Sequence, residues 1–276
     1  MRLKLNRSSI PKHLLLLAAV LLVIIPGYFV LVTAFKSQAA YSLNKFSFPS
    51  PITLENFGTA LRGGRFLLWF QNSVILSVGA VLLSAVVSLP AAFAFARMDF
   101  RARNPILAVI TSLMVIPPVV MIVPLFLLLA RIDLIGTYPG AIVVYAGMVT
   151  PFSIYLLTNF FKTIPHEIVE SALMDGASPM VILLRILVPL SAPALTTLVV
   201  VNVLWVWNDL LLALVLLPRD DMRTLMVGIT VFGSRYNNDV PVAMAGMLLA
   251  SVPMLVLYLF GQRYFIRGLV AGAVKG

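Results

Sequence analysis

Long apolar runs alternate with short polar segments along the whole chain. The first run, residues 14–35, contains 22 residues and no charged side chain. As an α-helix it would measure about 33 Å at roughly 1.5 Å per residue, which is enough to cross the bilayer core. Five similar runs follow, at residues 70–96, 105–130, 139–161, 190–217 and 241–264. The pattern therefore predicts an all-α, polytopic membrane protein with six transmembrane helices between residues 14 and 264.

Charge fixes the expected orientation of these runs. The first run is too long for a cleaved signal peptide, whose apolar region has only about 7–15 residues, so we expect an uncleaved span after a cytoplasmic N-terminal segment, residues 1–13. In the six-span arrangement the inner segments hold 12 basic residues and the outer segments hold 8. This bias places residues 36–69 and 218–240 outside, and residues 162–189 and the carboxyl-terminal tail, residues 265–276, in the cytoplasm.

Prolines inside the third run predict a bent helix. The run contains Pro117, Pro118 and Pro124. Prolines are tolerated in membrane bundles but bend the helix, so we expect a kinked third span.

In the second run, small residues recur at steps of four, three, four and four. They draw a stripe down one helical face, which favours close packing by another helix over a polar channel lining. The stripe consists of Ser73, Ser77, Ala80, Ser84 and Ser88.

Composition excludes several classes of function. The chain is 61% hydrophobic and 11% charged, against about 45–50% and about 25% for soluble domains. The net charge of +10 comes from short segments between apolar runs, not from a basic surface interleaved with aromatic residues, so we expect no nucleic-acid binding. Cysteine is absent, and the two histidines, His13 and His166, have no partners at metal-ligand spacing. We therefore expect no metal site, no catalytic residues and no enzymatic activity.

The sequence contains no recognisable source of energy for transport. It contains no Gly-x-x-x-x-Gly-Lys-Ser/Thr motif, so no P-loop ATPase is expected. A proton-coupled carrier would bury several ionisable groups in its spans, whereas one such residue, Asp209, lies clearly within a run. An ion-coupled carrier acting alone is therefore a distant alternative, and we expect the driving energy to come from another protein.

One polar stretch, residues 162–189, differs from the apolar sequence on both sides of it. Pro165 suits the first position of a helix, and Gly176 can adopt the left-handed conformation that ends one. Ser178 is a suitable N-cap for a second helix that starts at Pro179. The pattern predicts two short helices joined by a tight corner. On composition alone, an ordinary cytoplasmic loop between two spans is an equally good interpretation.

The spacing within this stretch resembles the EAA loop of ABC-transporter permease subunits. That family's pattern is Glu-Ala-Ala-x-x-Asp-Gly-Ala and, after a spacer, Ile-x-Leu-Pro-Leu; this chain departs from it at Ser171 and Val188. The end of the chain, residues 262–276, is also very similar to the carbohydrate (maltose-type, MalG-like) branch of the family. Other matching residues are Glu170, Ala172, Asp175, Gly176, Ala177, Ile186, Pro189, Leu190, Trp207, Asn208 and Asp209.

The resemblance implies a MetI-like permease core in a bacterial or archaeal cytoplasmic (inner) membrane. Besides lipid, it implies a second homologous permease, two ABC ATPase subunits that bind ATP and Mg, and an extracytoplasmic solute-binding protein; no cofactor is expected on this chain itself. It also implies that residues 165–177 form a coupling helix and that the loop 218–240 contacts the binding protein. The implied ATPase-coupling residues are Glu167, Glu170, Ser171, Ala172, Met174, Asp175, Gly176, Ala177 and Pro189, and the implied tail contacts are Gly272, Val274, Lys275 and Gly276.

A candidate solute path lies in the fifth run. Asn202, Trp205 and Asp209 fall at i, i+3 and i+7, with Asn208 beside them. An ionisable residue about 12 Å below the outer end of a span faces a cavity or a partner rather than lipid. This face either lines the solute path, because indoles stack on sugar rings and Asn and Asp bond hydroxyls, or forms a polar clamp between helices. The expected solute is a sugar, with a glycerol-phosphate diester or another polyol as the alternative.

Overall fold

The structure is a computed structural model that describes residues 10–62, 65–235 and 239–273. Within these ranges all regular structure is helical, which confirms the all-α prediction. The predicted tail contacts Val274, Lys275 and Gly276 lie outside the described residues, and so do residues 1–9 of the N-terminal segment.

The helices are α1 (Ile10–Ala34), α2 (Gln38–Leu43), α3 (Glu55–Leu61), α4 (Arg65–Arg97), α5 (Arg103–Ser112), α6 (Pro118–Arg131), α7 (Tyr138–Thr163), α8 (His166–Met174), α9 (Pro179–Ile182), α10 (Val188–Leu190), α11 (Ala192–Asn208), α12 (Leu211–Leu216), α13 (Leu225–Arg235) and α14 (Val240–Ala273).

The number of spans agrees with the prediction. In the described part of the chain, α1, α4, α7 and α14 are each long and apolar enough to cross a membrane. Two bent pairs of helical segments pass the same test, Arg103–Val115 with Pro118–Arg131 and Pro179–Leu190 with Ala192–Asn208. Counting each pair as one span gives up to six.

The third span bends more sharply than the predicted kink. Its two halves make an angle of 100°. The break lies at Ile116 and Pro117, whose ψ angles of 118° and 131° are extended rather than helical. Two consecutive prolines explain this, because each lacks an N–H group and each forces the residue before it out of the helical region.

The fifth span is not the continuous helix that the apolar run 190–217 predicts. The chain bends by 80° at Ser191, between α10 and α11. It leaves the helix again at Asp209, where ψ is 132°. The Asp209 carboxylate accepts a hydrogen bond of 3.1 Å from the Ala213 N–H group. This bond satisfies a backbone donor in the first turn of α12, the helix that follows the break. A polar side chain that bonds nearby backbone groups competes with helix continuation.

The predicted outer loop 218–240 also contains regular structure. The chain forms helix α13 from Leu225 to Arg235. Leu225, Val227 and Ile229 are buried, and this apolar content explains why the segment folds. The charged residues around it obscured the short helix in the sequence.

The chain divides into two compact units. The first comprises residues 1–66 and 229–252, of which the described part includes a buried lysine, Lys36. Its ammonium group donates to the carbonyls of Asn44 and Lys45, at 2.9 Å each. Asn56 donates to the carbonyls of Ala34 and Lys36. These bonds fold the first outer loop onto the end of α1, and burial lowers the pKa of the Lys36 ammonium group.

The second unit comprises residues 67–228 and 253–276, and α4 packs against α7 within it. All five residues of the small-residue stripe on α4 are buried, which agrees with the packing interpretation. The backbones approach closely at Gly79, where an added Cβ atom would lie 2.6 Å from Cδ1 of Ile142. Thr150 donates to the Ser84 hydroxyl at 3.1 Å, and Ser84 donates to Ser153 at 3.2 Å. Small side chains and hydroxyl bonds therefore join the two helices, as is usual between membrane helices.

Candidate functional site

The polar stretch after α7 forms an elbow, which we define as residues 165–178. Its helix α8 buries one side, with Val169 5% and Ala172 8% exposed. These two side chains belong to one apolar cluster with Phe93 of α4, Phe161 of α7 and Leu183. The inner face of the elbow is therefore packed into the same core as the membrane helices.

The corner of the elbow has a specific backbone geometry. Gly176 has a φ of +78°, as its sequence position predicts. The Gly176 N–H group donates to the Leu173 carbonyl at 3.0 Å, and the Ala177 N–H group donates to the Ala172 carbonyl at 2.9 Å. These two bonds form a Schellman motif, which ends α8 with a residue in the left-handed region. No atom within 4 Å would meet a Cβ at Gly176, so the constraint at this position is conformational rather than steric.

The two helix starts of the elbow follow the sequence closely. The sequence predicted Pro165 as the first residue of the helix. In the structure it is the residue before α8, and its backbone is extended with a ψ of 141°. Ser178 precedes α9 and Pro179 is the first residue of that helix, as predicted, although the Ser178 side chain makes no capping bond. The helix is shorter than the predicted 165–177, because the left-handed Gly176 ends it.

The outer face of the elbow is exposed and partly apolar. Met174 is 88% exposed, Leu173 is 52% exposed, and Ile168 is 38% exposed. Acidic residues flank them, and one, Glu170, lies 3.8 Å from His166 at i,i+4 spacing. Among the predicted coupling residues, Ala172 is buried and Ala177 half-buried, while the others are exposed: Glu167, Glu170, Ser171, Met174, Asp175, Gly176 and Pro189. An exposed methionine and leucine rimmed by charge are typical of a surface that binds another protein.

A side chain from α4 reaches the base of the elbow. Arg97, the last residue of α4, donates through its guanidinium group to the carbonyls of Phe161 and Ile164. Phe161 lies in the last turn of α7, and Ile164 directly follows that helix. The sequence indicated Arg97 as the end of an apolar run and not as a contact of the elbow; a cation at the inner end of a span was the only signal.

The polar residues of the fifth span do not share one helical face. Because α11 ends at Asn208, Asp209 has left the helix that carries Asn202 and Trp205. Asn202 is buried and donates to the Ser153 hydroxyl at 2.8 Å. The predicted i, i+3, i+7 face was therefore wrong at its last member.

Asp209 is bonded within the protein. Its Oδ2 atom accepts the hydroxyl proton of Tyr145 at 2.6 Å, besides the Ala213 N–H group. Tyr145 is buried, and its ring packs edge-on against Trp205 with centroids 6.1 Å apart. Tyr145 was not predicted, because its only signal in the sequence is a phenol within an apolar run. Asn202 and Asp209 thus form hydrogen bonds between helices. Trp205 is half-buried and Asn208 is exposed, so both are accessible to a solute, and their role in binding one stays a prediction.

The amino-terminal ends of α4 and α7 hold the loop of residues 218–224. Asn72 donates to the carbonyls of Asp221 and Arg223, at 2.9 Å each, and accepts a hydrogen bond of 2.6 Å from the Tyr138 hydroxyl. Within the loop, Arg219 and Asp221 form an ion pair at 2.6 Å. The bond from Arg219 lowers the pKa of Asp221 below its usual value, and the same contact raises the pKa of Arg219. These bonds hold the loop in one conformation against the ends of the two helices.

No group of three or more metal-binding side chains occurs among the residues that the structure describes.

Comparison with known proteins gives consistent matches. The profile of the family described as "binding-protein-dependent transport system inner membrane component" matches residues 86–270. A putative ABC transporter permease of Caldicellulosiruptor sp. is 41% identical over 253 residues, which cover 91% of this chain and 92% of that protein. An arabinooligosaccharides transport system permease of Halalkalibacterium halodurans is 34% identical over 83% of this chain and 81% of its own length. A melibiose/raffinose/stachyose import permease of Bacillus subtilis is 33% identical over 91% of each chain.

A solved structure is similar over nearly the whole chain. It is that of a bacterial ABC transporter involved in the import of the acidic polysaccharide alginate, with a TM-score of 0.79 and 25% identity. The match covers 94% of this chain and 98% of the matched chain.

We expect the Tyr145–Asp209 bond to contribute to stability as a pair. Tyr145→Phe and Asp209→Asn should each lower the thermal unfolding midpoint in detergent, and the double variant should lose less than the sum of the two. An interaction free energy on the order of 1 kcal/mol is expected for two residues in direct contact. Tyr155→Phe is the matched control, because Tyr155 lies on the same helix and is 48% exposed. Strictly additive losses would show that the bond contributes nothing.

Proposed function

Because the chain belongs to the family of inner-membrane components of binding-protein-dependent transport systems, we propose that it is the permease subunit of an ATP-driven sugar importer. It would form half of the translocation path, with a second homologous permease forming the other half. The relatives named for arabinooligosaccharides and for melibiose, raffinose and stachyose support a sugar as the solute. They favour it over the glycerol-phosphate and polyol alternative.

The elbow is the site where an ATPase subunit would bind. The observation that carries this proposal is the division of α8 into two faces. Val169 and Ala172 are buried in the core of the membrane helices, whereas Met174 is exposed on the opposite side and Leu173 and Ile168 are exposed at the two edges of the buried face. An amphipathic helix with an unoccupied apolar side fits a groove on a partner. ATP and Mg would be bound by that partner, and this chain would supply the contact.

The same division explains how movement would pass into the membrane. The elbow is covalently continuous with α7 on one side and with α9 on the other. Its inner face packs into the apolar cluster that includes Phe93, Phe161 and Leu183. A packed core transmits displacement because it cannot deform continuously. A partner that grips the exposed face would therefore turn the attached helices as a rigid body.

The outer side of the protein fits a second contact. The loop of residues 218–224 is fixed to α4 and α7 through Asn72 and Tyr138. It carries the charged side chains of Arg219 and Asp221 on its surface. We propose that this ordered, charged loop meets an extracytoplasmic solute-binding protein. The contact of the carboxyl-terminal tail with the ATPase, including Gly272, stays a prediction.

The exposed tip of the elbow provides the direct test of ATPase binding. Met174→Glu should remove the ATPase from the purified complex, because a carboxylate replaces the most exposed apolar side chain of α8. Leu43→Glu is the matched control, since Leu43 is 89% exposed, as Met174 is 88% exposed, but lies on the first outer loop. The measurement is the amount of ATPase recovered with each affinity-tagged variant. Equal recovery with Met174→Glu and with the unaltered chain would contradict the proposal.

The corner of the elbow provides a test of its shape. Gly176→Val should reduce ATP-driven uptake at least about tenfold, because a left-handed backbone costs an L-residue roughly 1–2 kcal/mol, and a β-branched residue more. Gly176→Asn should retain most of the activity, since asparagine tolerates this conformation. Uptake is measured in proteoliposomes with a panel of raffinose, melibiose and arabino-oligosaccharides. Equal uptake by both variants, or a greater loss with Asn, would show that the conformation of the corner is unimportant.

A further inference from the structure

The inner end of α4 is tied to the base of the elbow by one side chain. Arg97 ends α4, and its guanidinium group donates to the carbonyls of Phe161 and Ile164. These two carbonyls lie on either side of the end of α7, and α8 begins two residues after Ile164. Arg97 therefore contacts two backbone carbonyls that lie 64 and 67 residues further along the sequence.

The chemistry of this contact suits an arginine. The last carbonyls of a helix have no partner within the helix and carry the negative end of its dipole. A guanidinium group is always charged and presents several N–H groups in a rigid plane, so it can hold two such carbonyls at once. The Nε atom of Arg97 is also buried. Arg97 as a whole is half-buried. It differs from Arg103 in its partners, because Arg103 bonds the nearby Met98 carbonyl and Asp99 carboxylate rather than another helix.

Polar bonds connect α4 to α7 at two further depths. Near the middle of the helices, Ser84 bonds Thr150 and Ser153. At the outer end, Asn72 bonds Tyr138 and the loop of residues 218–224. Arg97 is the innermost of these connections. It adds a directional polar bond to the apolar cluster in which α4 and α8 already pack together.

We propose that Arg97 is a positioning residue that makes α4 follow the elbow when an ATPase moves it. With Arg97 in place, α4, the end of α7 and α8 move together, and the motion reaches the outer loop through Asn72. Without it, α8 still binds the ATPase, but only apolar packing holds α4 to the base of the elbow, and α4 follows less closely. This inference rests on the proposed function, since it requires an ATPase on the elbow.

The absence of cysteine allows a direct measurement of this motion. Spin labels are attached at Met98→Cys, beside the end of α4, and at His166→Cys, the first residue of α8. The distance between the labels is measured in the complex with its ATPase, first without nucleotide and then trapped with ATP and vanadate. We expect the distance to change by less than about 5 Å, the rise of one helical turn. A larger change in the chain that retains Arg97 overturns the inference, and this arm needs no variant at Arg97.

Variants then test the side chain itself. With Arg97→Gln the labels should separate by more than about one helical turn on trapping, while the ATPase still co-purifies and hydrolyses ATP. Arg97→Lys should restore the smaller change, because an ammonium group can bond carbonyls, as Lys36 does in this chain. Arg101→Gln removes the same charge from the same short segment and should have no effect, because Arg101 is exposed. An unchanged distance in Arg97→Gln overturns the inference, and so does an equal effect of Arg101→Gln.

The two proposals fail in different ways. If no ATPase is recovered with the unaltered chain, the proposed function is wrong and the inference fails with it. If the ATPase is recovered and α4 moves independently of α8, only the role of Arg97 is wrong.

Discussion

A bilayer core contains no water to bind polar groups, and this constraint accounts for the internal arrangement of the second unit. Several polar side chains there join helices by bonding to partners within the protein. Asn202 bonds Ser153, Tyr145 bonds Asp209, and Ser84 bonds Thr150. Because these partners lie on different helices, hydrogen bonds inside the unit also fix which helices are neighbours.

The same constraint explains why the fifth span is interrupted. A carboxylate within an apolar segment is costly unless it is bonded. Asp209 receives bonds from the Tyr145 hydroxyl and from the Ala213 N–H group, and the second of these begins a new helix. The interruption leaves Asn208 exposed next to the half-buried Trp205. Interrupted helices in transporters often lie beside the path of the solute, so the break and the predicted solute contacts fit one another.

The sequence predicted the features that depend on local pattern. Six apolar runs predicted the number of spans, and Gly176 and Pro179 predicted the corner of the elbow. Features that depend on distant partners were not predictable in this way. The bond of Asp209 to Tyr145 and the bonds of Arg97 to two carbonyls join residues more than sixty positions apart. Helix α13 was missed because it is short and charged residues lie on both sides of it in the sequence.

The central claim is that the elbow lies in the cytoplasm and is covered by an ATPase. The most direct measurement uses Met174→Cys as the only cysteine in the chain and a maleimide that does not cross membranes. The account predicts that the maleimide labels this cysteine in inside-out vesicles stripped of the ATPase, and that adding the purified ATPase back protects it. Labelling of intact cells from the outside would contradict the account, and so would reactivity that the ATPase leaves unchanged.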